Sequence, residues 1–214
     1  CGLAHNHFED KKTNHTVFKP FTRKMYEKNY SIALSGELYN ADTLKKQLKE
    51  YHFSFDTKTD EEIILYGFLH YGVEFFKQLD GVFSFALLDE NAQNLYLVRD
   101  GFGCKPLFYA HLNETVIFAT ELKAILAHPY VKPVVGKAGL NEIFSLGPAR
   151  SLGSGVFENV FEVNPGEWIR ISPYGLYKET YWRMKAAPHE DSYKETIEKT
   201  SQLVTDAIKK QSIH

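Results

Sequence analysis

The sequence predicts an α+β domain in which several antiparallel strands are flanked by helices. Short β-rich runs follow one another in pairs joined by polar turns, which is typical of hairpins. Apolar residues at helical spacing fill the stretches around these pairs. The 214 residues are also 43% hydrophobic and 14% aromatic, so the chain can bury a substantial core and disorder is not expected.

The first predicted elements are a strand and a helix. Residues 30–34 form a β-rich run, and Gly36 is expected to end that strand in a tight turn. A helix then extends to about Tyr51, with Asn40 or Asp42 as its N-cap. A second helix begins at Asp60, shows an apolar face and ends at a glycine, residue 72.

The later elements are hairpins, short helices and closing strands. The polar turn in "GVFSFALLDENAQNLYLVRD" joins two β-rich runs, and "KPLFYA" with "TVIFAT" predicts a second hairpin. "ELKAILAHP" is expected to form a short helix that Pro129 stops, and "LNEIFSLG" another. Short strands follow, separated at Pro165-Gly166 and Pro173.

The last segment differs from the rest. "AAPHEDS" has the composition of a linker, and Ser192 with Glu195 forms a capping-box pattern at the start of a helical stripe. This helix has no terminator in the sequence. We therefore expect one domain over residues 1–188, and over 189–214 a linker with the first helix of a further, incomplete domain.

Charge and cysteine content narrow the classes of function. The formal net charge is −2, so no nucleic-acid surface is expected. The apolar runs, such as 85–88, are strand-sized, so no membrane span is expected either. With only Cys1 and Cys104, a disulfide framework is absent, and a reducing, cytoplasmic location fits best.

Cys1 combines two groups that nucleophilic catalysis needs. A thiol attacks as the thiolate, so it needs a base. The α-amine of the same residue has an ordinary pKa of about 7.7–8 and can take the thiol proton, then return it to a leaving amine. Two explanations stay open for Cys1 alone: a chain end without chemistry, which is the commoner case, and an acylated cysteine that anchors the protein to lipid.

Other polar residues have both structural and functional explanations. Gly36 can present its backbone N–H as an oxyanion donor or form an ordinary turn. Asp60 and Glu62, at a helix N-terminus, can cap the helix or hold an ammonium group. The loop "RDGFGCKPLFYA" is expected to be folded by internal ion pairs, with Cys104 more often a buried small residue than a reactive thiol.

A metal site is a weaker prediction. His5, His7 and Asp10 could imitate a metal cluster, but their spacing favours a solvated strand.

Several motifs together are similar to a known family. In order they are Cys1-Gly2, "SGELYN" (35–40), "TDEE" (59–62), "LDGVFSFALLD" (79–89), "RDGFGCKPLFY" (99–109) and "FATELKAIL" (118–126), with "PGE" (165–167) and "YW" (181–182) after them. This ordered set resembles the glutaminase domain of glutamine-dependent asparagine synthetase, a class II glutamine amidotransferase domain of the N-terminal-nucleophile type. The resemblance implies a four-layer α/β/β/α sandwich of two antiparallel sheets.

The resemblance also implies a mechanism. Cys1 would attack the side-chain amide of glutamine, form a γ-glutamyl thioester and release ammonia. Gly36 would supply an oxyanion N–H, Asp60 would bind the substrate α-amine and Glu37 would line the pocket. Three further residues would be scaffold: Arg99, Asp100 and Lys105. No cofactor is expected in this domain; ATP and magnesium would belong to a synthetase domain of the same protein, and a homodimer is left open.

Three departures from the family pattern matter. Ser35 stands where the family usually has an asparagine whose amide is the second oxyanion donor, and losing one such donor costs about 10²–10³ in rate. The family's "RGPD"-like loop and "HRRL"-like strand are missing before Ser35, either deleted or omitted, and Arg23 is not assigned to the role of their arginine. The ATP-binding "SGGxDS" loop is absent, since "SLGSG" (151–155) does not match it, so these residues are expected at most to hydrolyse glutamine.

Three hypotheses follow. The first is a glutamine-hydrolysing domain that supplies ammonia to a synthetase. The second, motivated by Ser35 and the missing arginine, is a degenerate glutaminase-like domain with a binding or regulatory role. The third is a lipid-anchored binding protein that starts at Cys1.

Overall fold

The computed structural model describes residues 2–4, 20–25, 27–113, 115–147 and 149–211. The chain divides into two compact units, Cys1–Trp182 and Arg183–His214. The functional boundary expected between residues 188 and 189 stays a prediction.

The strands of the first unit form two antiparallel sheets. The larger sheet has the order β1-β2-β3-β4-β8-β9, and the smaller has the order β6-β5-β7. The strands are β1 Phe21–Met25, β2 Lys28–Leu38, β3 Gly81–Asp89, β4 Asn94–Arg99, β5 Phe108–Leu112, β6 Thr115–Ala119, β7 Val160–Glu162, β8 Glu167–Ser172 and β9 Gly175–Thr180. The two predicted hairpins are confirmed as β3 with β4 and β5 with β6.

The helices of the first unit are α1 Ala41–Glu50, α2 Asp60–Tyr71, a 3₁₀ helix over Gly72–Gln78, α3 Leu122–Leu126 and α4 Lys137–Leu146. The second unit, described by itself, has the helix α5 Tyr193–Gln211. The expected start of the second helix at Asp60 and its end at Gly72, where φ is 63°, are confirmed. The helix expected from residue 140 begins three residues earlier, at Lys137.

Alternation along β3 shows how the first layers pack. Phe83, Phe85 and Leu87 belong to a core shared with α1 and α2, whereas Ala86 and Leu88 belong to the cluster between the two sheets. Removing a side chain of this size from water stabilises the fold by roughly 1.5–3 kcal/mol. The aromatic side of the large sheet therefore holds the helices in place.

The small sheet supplies the other two layers. Tyr109 on β5 packs in the cluster between the sheets, with Leu97 and Ile169 of the large sheet. Phe108, on the opposite face of β5, packs with Ile125 of α3. The order is therefore helices, sheet, sheet, helix, which confirms the four-layer α/β/β/α sandwich.

Strand β2 is longer than the sequence predicted. Gly36 was expected to end the strand, but β2 continues through it to Leu38, paired with β3. The glycine has a φ of 116°, and a Cβ at this position would lie 1.9 Å from the carbonyl oxygen of Val82. The residue is needed because the neighbouring strand passes too close for a side chain, and not because the chain turns.

The expected cap of α1 is also different. Asn40 is the N-cap, but its side chain makes no capping hydrogen bond. Its amide instead donates to the Gln78 carbonyl at 2.8 Å and accepts from the Asp80 N–H at 3.1 Å. Asn40 therefore ties the end of β2 to the start of β3.

The second unit contains α5. Its capping box is confirmed: Ser192 N–H donates to a Glu195 carboxylate oxygen at 2.9 Å, and the Glu195 N–H donates back to Ser192 Oγ at 3.4 Å. Within the described part of the chain, no helix is both long and apolar enough to cross a membrane.

Candidate active site

The end of β2 presents backbone groups at its outer edge. The Tyr39 N–H donates to the Asp80 carbonyl at 2.8 Å. In the antiparallel ladder, the backbone N–H groups of Tyr39 and of every second residue before it therefore point towards β3. Gly36 lies between those residues, so its N–H faces the opposite edge. The β1 pairing ends at Ile32, which leaves this N–H beyond the last β1 partner. Gly36 is exposed, and the backbone here can be approached from solvent.

Asp60 lies against the same edge. It is the first residue of α2, and its Oδ2 accepts a hydrogen bond from the Leu38 N–H at 2.8 Å. Leu38 N–H and Gly36 N–H are two residues apart on one strand edge, which is roughly 7 Å. The fold thus brings a carboxylate and an oxyanion-type donor to one side of one strand, although the sequence separates Gly36 from Asp60 by a whole helix.

Ser35 and Glu37 face the other way from the helices. Ser35 pairs with Ser84, which lies on the same face of β3 as Ala86 and Leu88 of the inter-sheet cluster. The Ser84 hydroxyl donates to the Pro106 carbonyl at 3.2 Å. Ser35 and Glu37 are both half-buried. The two side chains therefore line the layer between the sheets, next to the Gly36 backbone.

Cys1 lies outside the described residues. Leu3, two residues along the chain, packs against the inter-sheet cluster, which is the layer that Ser35 faces. The structure thus places Ser35, Gly36 and Glu37 near the end of β2 and brings Asp60 against the same strand end.

The loop after β4 is folded around two charged residues. Arg99 donates to the carbonyl oxygens of Lys105 at 2.9 Å, Gly103 at 2.8 Å and Val163 at 2.7 Å. The Asp100 carboxylate accepts three backbone N–H groups from within the same loop. These donors are Phe102, Cys104 and Lys105, each at 3.0 Å.

The sequence suggested ion pairs within this loop, but the structure pairs its arginine with a residue outside the loop. Arg99 pairs with Glu162 of β7 at 3.1 Å, and Arg150 reaches the other oxygen of Glu162 at 3.5 Å. The partner of Arg99 comes from a strand distant in sequence, so local charge patterns could not reveal it.

Cys104 is not the buried small residue that the sequence favoured. Its side chain is exposed. Partial desolvation of the sulfur and the nearby Asp100 carboxylate raise the pKa of the Cys104 thiol above its usual range. The thiolate is therefore disfavoured, and Cys104 is a poor candidate for the nucleophile.

Tyr39, at the end of β2, is surrounded by negative charges. Burial raises the pKa of Tyr39, and the negative charges of Glu37, Asp80 and Asp100 add to the effect. Nothing in the sequence pattern pointed to Tyr39, because its neighbours come from three separate segments.

Arg23 does not join this site. It forms an ion pair with Asp56 at 2.5 Å, and its guanidinium lies 6.0 Å from the centre of the Tyr66 ring. The hydrogen bond to Asp56 raises the pKa of Arg23. Its cross-strand partner Tyr30 belongs to the helix-side core, so Arg23 lies on the face opposite to Ser35.

A metal site is not formed by the part of the chain that the structure describes. No group of three or more histidine, cysteine, aspartate or glutamate side chains there could hold an ion. The residues suggested from the sequence, His5, His7 and Asp10, lie outside the described residues.

The fold and the grouped residues define a class of protein. The family model described as "Glutamine amidotransferase domain" matches residues 1–182, and the chain belongs to this family. Two solved structures share the fold, each at 20% identity over 78% of this chain. They are the Bacillus subtilis glutamine phosphoribosylpyrophosphate amidotransferase complexed with ADP and GMP (TM-score 0.56, 32% of that chain) and a structure titled as the allosteric regulatory enzyme of purine biosynthesis (TM-score 0.55, 31%).

Curated relatives narrow the class. Asparagine synthetase [glutamine-hydrolyzing] 3 of Bacillus subtilis (strain 168) is 36% identical over 184 residues, 86% of this chain and 30% of the relative. Asparagine synthetase [glutamine-hydrolyzing] 2 of the same organism is 31% identical, covering 83% of this chain and 25% of the relative. The chain thus spans less than a third of the length of these relatives. The family resemblance drawn from the motifs is confirmed.

Proposed function

We propose that this domain hydrolyses glutamine to glutamate and ammonia, with Cys1 as the nucleophile. The observation that supports this most is the placement of the Gly36 N–H and the Asp60 carboxylate on one edge of β2. Glutamine carries an ammonium group at one end and an amide carbonyl at the other. A carboxylate and a backbone donor on one rigid strand edge suit those two ends.

The proposed chemistry needs one thiol and one amine. The α-amine of Cys1 takes the thiol proton, and Sγ attacks the side-chain carbonyl carbon of glutamine. The oxyanion accepts hydrogen bonds from the Gly36 N–H and the Ser35 hydroxyl. The C–N bond then breaks, and the α-ammonium returns the proton to the leaving ammonia. Water attacks the resulting γ-glutamyl thioester and releases glutamate and the free thiol.

Substrate recognition is assigned to two carboxylates. Asp60 binds the α-ammonium of glutamine, and Glu37 lines the pocket between the sheets. Arg23 is not assigned to the substrate carboxylate because it is paired with Asp56 on the opposite face. No cofactor takes part in this step.

The ammonia acceptor is proposed from the relatives. Their names describe glutamine-hydrolysing asparagine synthetases, and this chain spans 30% or less of their lengths. We assign the ammonia to an ATP-dependent synthetase domain of the same protein, which would also hold ATP and magnesium. The helix α5, which buries none of its described residues, is then the start of that domain.

The test is glutamate release by the whole protein, with intact mass measured before and after exposure to a diazoketone analogue of glutamine. We expect a free α-amine on Cys1, a single adduct on its sulfur, and loss of both adduct and hydrolysis in Cys1→Ala. Cys104→Ala is the matched control and should keep both. Continued hydrolysis by Cys1→Ala, or an acylated N-terminus in the active protein, contradicts the proposal.

A second candidate is a degenerate domain that binds glutamine without turnover. Ser35 favours it, because a serine hydroxyl is shorter than the asparagine amide usual in the family and rotates more freely. Calorimetric binding of glutamine without release of glutamate would support this candidate, and efficient steady-state hydrolysis would exclude it.

A further inference from the structure

Glu62 is a buried carboxylate that the proposed chemistry does not use. It lies in the first turn of α2, two residues after Asp60, and its exposed fraction is 0%. A buried charge is costly unless hydrogen bonds replace its hydration. A carboxylate kept at such a position therefore requires an explanation beyond solubility or helix propensity.

The hydrogen bonds of Glu62 satisfy its acceptor capacity. Its Oε1 accepts from the Asp56 N–H at 3.0 Å and from the Tyr66 hydroxyl at 3.1 Å. Its Oε2 accepts from the Thr57 N–H at 2.8 Å and from Thr57 Oγ1 at 2.6 Å. An ionised carboxylate offers about four acceptor positions, so this one is fully used inside the protein. Burial raises the pKa of Glu62, but these hydrogen bonds outweigh burial and the net pKa is lowered.

These bonds fix the segment that leads into Asp60. Within the described contacts, the N-cap Thr59 makes no side-chain capping hydrogen bond of its own. Thr57 Oγ1 instead accepts from the Thr59 N–H at 3.3 Å, and the same hydroxyl donates to Glu62. Glu62, in the first turn of α2, thus binds the segment that precedes the helix. Asp60 lies in the chain between that segment and Glu62.

Other elements hold the outer side of the same segment. The ammonium group of Lys45 in α1 donates a hydrogen bond to the Thr57 carbonyl at 3.0 Å, and Arg23 of β1 forms an ion pair with Asp56 at 2.5 Å. Both of these residues remain partly exposed. Glu62 is the fully buried member of the set. Its removal would leave the buried Tyr66 hydroxyl and the partly buried donors of Asp56 and Thr57 without this acceptor.

We propose that Glu62 is a positioning residue for glutamine recognition, which fixes residues 56–59 so that Asp60 stays against the Leu38 N–H and meets the substrate ammonium. The proposal rests on the assignment of Asp60 to the α-ammonium. It assigns to Glu62 no contact with substrate. Its effect is therefore specific to substrates that carry the ammonium group.

The test compares two substrates in Glu62→Gln. For glutamine we expect KM to rise about tenfold with kcat within about twofold, because weakened positioning loses roughly one hydrogen bond's worth of binding. For glutaramate, the analogue that lacks the α-amine, we expect KM to change less than about twofold. Glu61→Gln is the matched control, since it removes a half-buried carboxylate from the same helical turn. Equal KM changes for both substrates overturn the proposal.

A second measurement does not depend on turnover. Amide hydrogen exchange of Leu38 reports its hydrogen bond to Asp60. We expect faster exchange at Leu38 in Glu62→Gln than in Glu61→Gln, with the amide of Leu97, inside β4, unchanged in both. Unchanged exchange at Leu38 overturns the proposal. If the wild-type protein releases no glutamate, the proposed function fails, and this exchange measurement still decides the role of Glu62.

A milder variant covers the case in which Glu62→Gln does not fold. Thr57→Val removes one donor to Glu62 and keeps the carboxylate and the side-chain volume. We expect the same direction of change at Leu38 and in the KM for glutamine, with a smaller size. No difference from wild type in either measurement contradicts the proposal.

Discussion

The Leu38 N–H donates to Asp60 Oδ2 at 2.8 Å, and this bond joins the first turn of α2 to the edge of β2. The carboxylate of Asp60 is therefore positioned by backbone geometry on both sides, by a strand edge and by a helix start. The same edge carries the Gly36 N–H, so the separation between the two proposed substrate contacts is fixed by the strand and not by flexible side chains.

Asp60→Asn tests the charge of this residue. The amide oxygen can still accept from Leu38, so the fold should keep its melting temperature within about 2 °C. The negative charge that binds an ammonium is lost, and we expect the KM for glutamine to rise about 10²-fold. Steady-state kinetics with glutamine and glutaramate measure this. A normal KM for glutamine would show that Asp60 only supports the end of β2.

Ser35→Asn tests the second oxyanion donor. Ser35 is half-buried beside Gly36 and faces the layer between the sheets. An asparagine amide reaches further than the hydroxyl, and a well-placed donor contributes about 10²–10³ in rate, so we expect kcat to rise about 10²-fold. Ser54→Asn, at an exposed position, is the control and should leave kcat unchanged. A stable Ser35→Asn protein with unchanged kcat would show that this position does not contact the oxyanion.

Gly36→Ala tests the close approach of two strands. A Cβ at Gly36 would lie 1.9 Å from the Val82 carbonyl oxygen, and φ is 116°. Gly175 has a similar φ of 121° but nothing within 4 Å of its Cβ position, so Gly175→Ala isolates the cost of backbone strain, about 1–3 kcal/mol. We expect Gly36→Ala to lose at least about 2 kcal/mol more, by denaturant unfolding. Equal losses would mean that β2 and β3 can separate here without cost.

The elements that the sequence predicted well are those whose signals are local. Helix α2 begins at Asp60 with acidic residues in its first turn and stops before Gly72, and both signals lie within the local sequence. The hairpin of β3 and β4 follows from two apolar runs and one polar turn. Predicting either of these elements requires no information from distant residues.

The features that the sequence missed depend on distant contacts. Gly36 was predicted to end a strand in a turn, but it lies within β2, where the Val82 carbonyl leaves no room for a side chain. Val82 is 46 positions further along the chain, so local sequence could not reveal this contact. The Arg99 ion pair needs Glu162 of β7. Cys104 is exposed because Arg99 and Asp100 fold the loop by binding its backbone, which leaves the cysteine side chain outside.

The sequence also predicted only part of the candidate site. The motifs indicated Ser35, Gly36, Glu37 and Asp60 through the family resemblance, and the fold brings these four residues together. Their shared edge and shared layer could not be read from spacing, because they follow from the β2–β3 register and the start of α2.

The pH dependence of stability separates Glu62 from its neighbour Glu61. The pKa of Glu62 is lowered in the folded protein, so the folded state binds its proton less readily than the unfolded chain does. Its contribution to the free energy of unfolding is therefore complete above the unfolded pKa, about 4.3 for a glutamate, and is lost as pH falls through the lower folded value. Glu62→Gln removes this titration. We expect a smaller loss of stability for this variant than for wild type between pH 6 and pH 3, measured by urea unfolding at each pH.

Glu61→Gln is the control for this measurement, because it removes a carboxylate of the same helical turn that is not enclosed by hydrogen-bond donors of the 56–57 segment. Its stability should follow the wild-type pH profile in shape. If Glu62→Gln also keeps that shape, the Glu62 carboxylate does not stabilise the folded state through its charge. Glutamine has one accepting oxygen and an NH₂ group that only donates, so the fold would then not need both hydrogen bonds from Asp56 and Thr57.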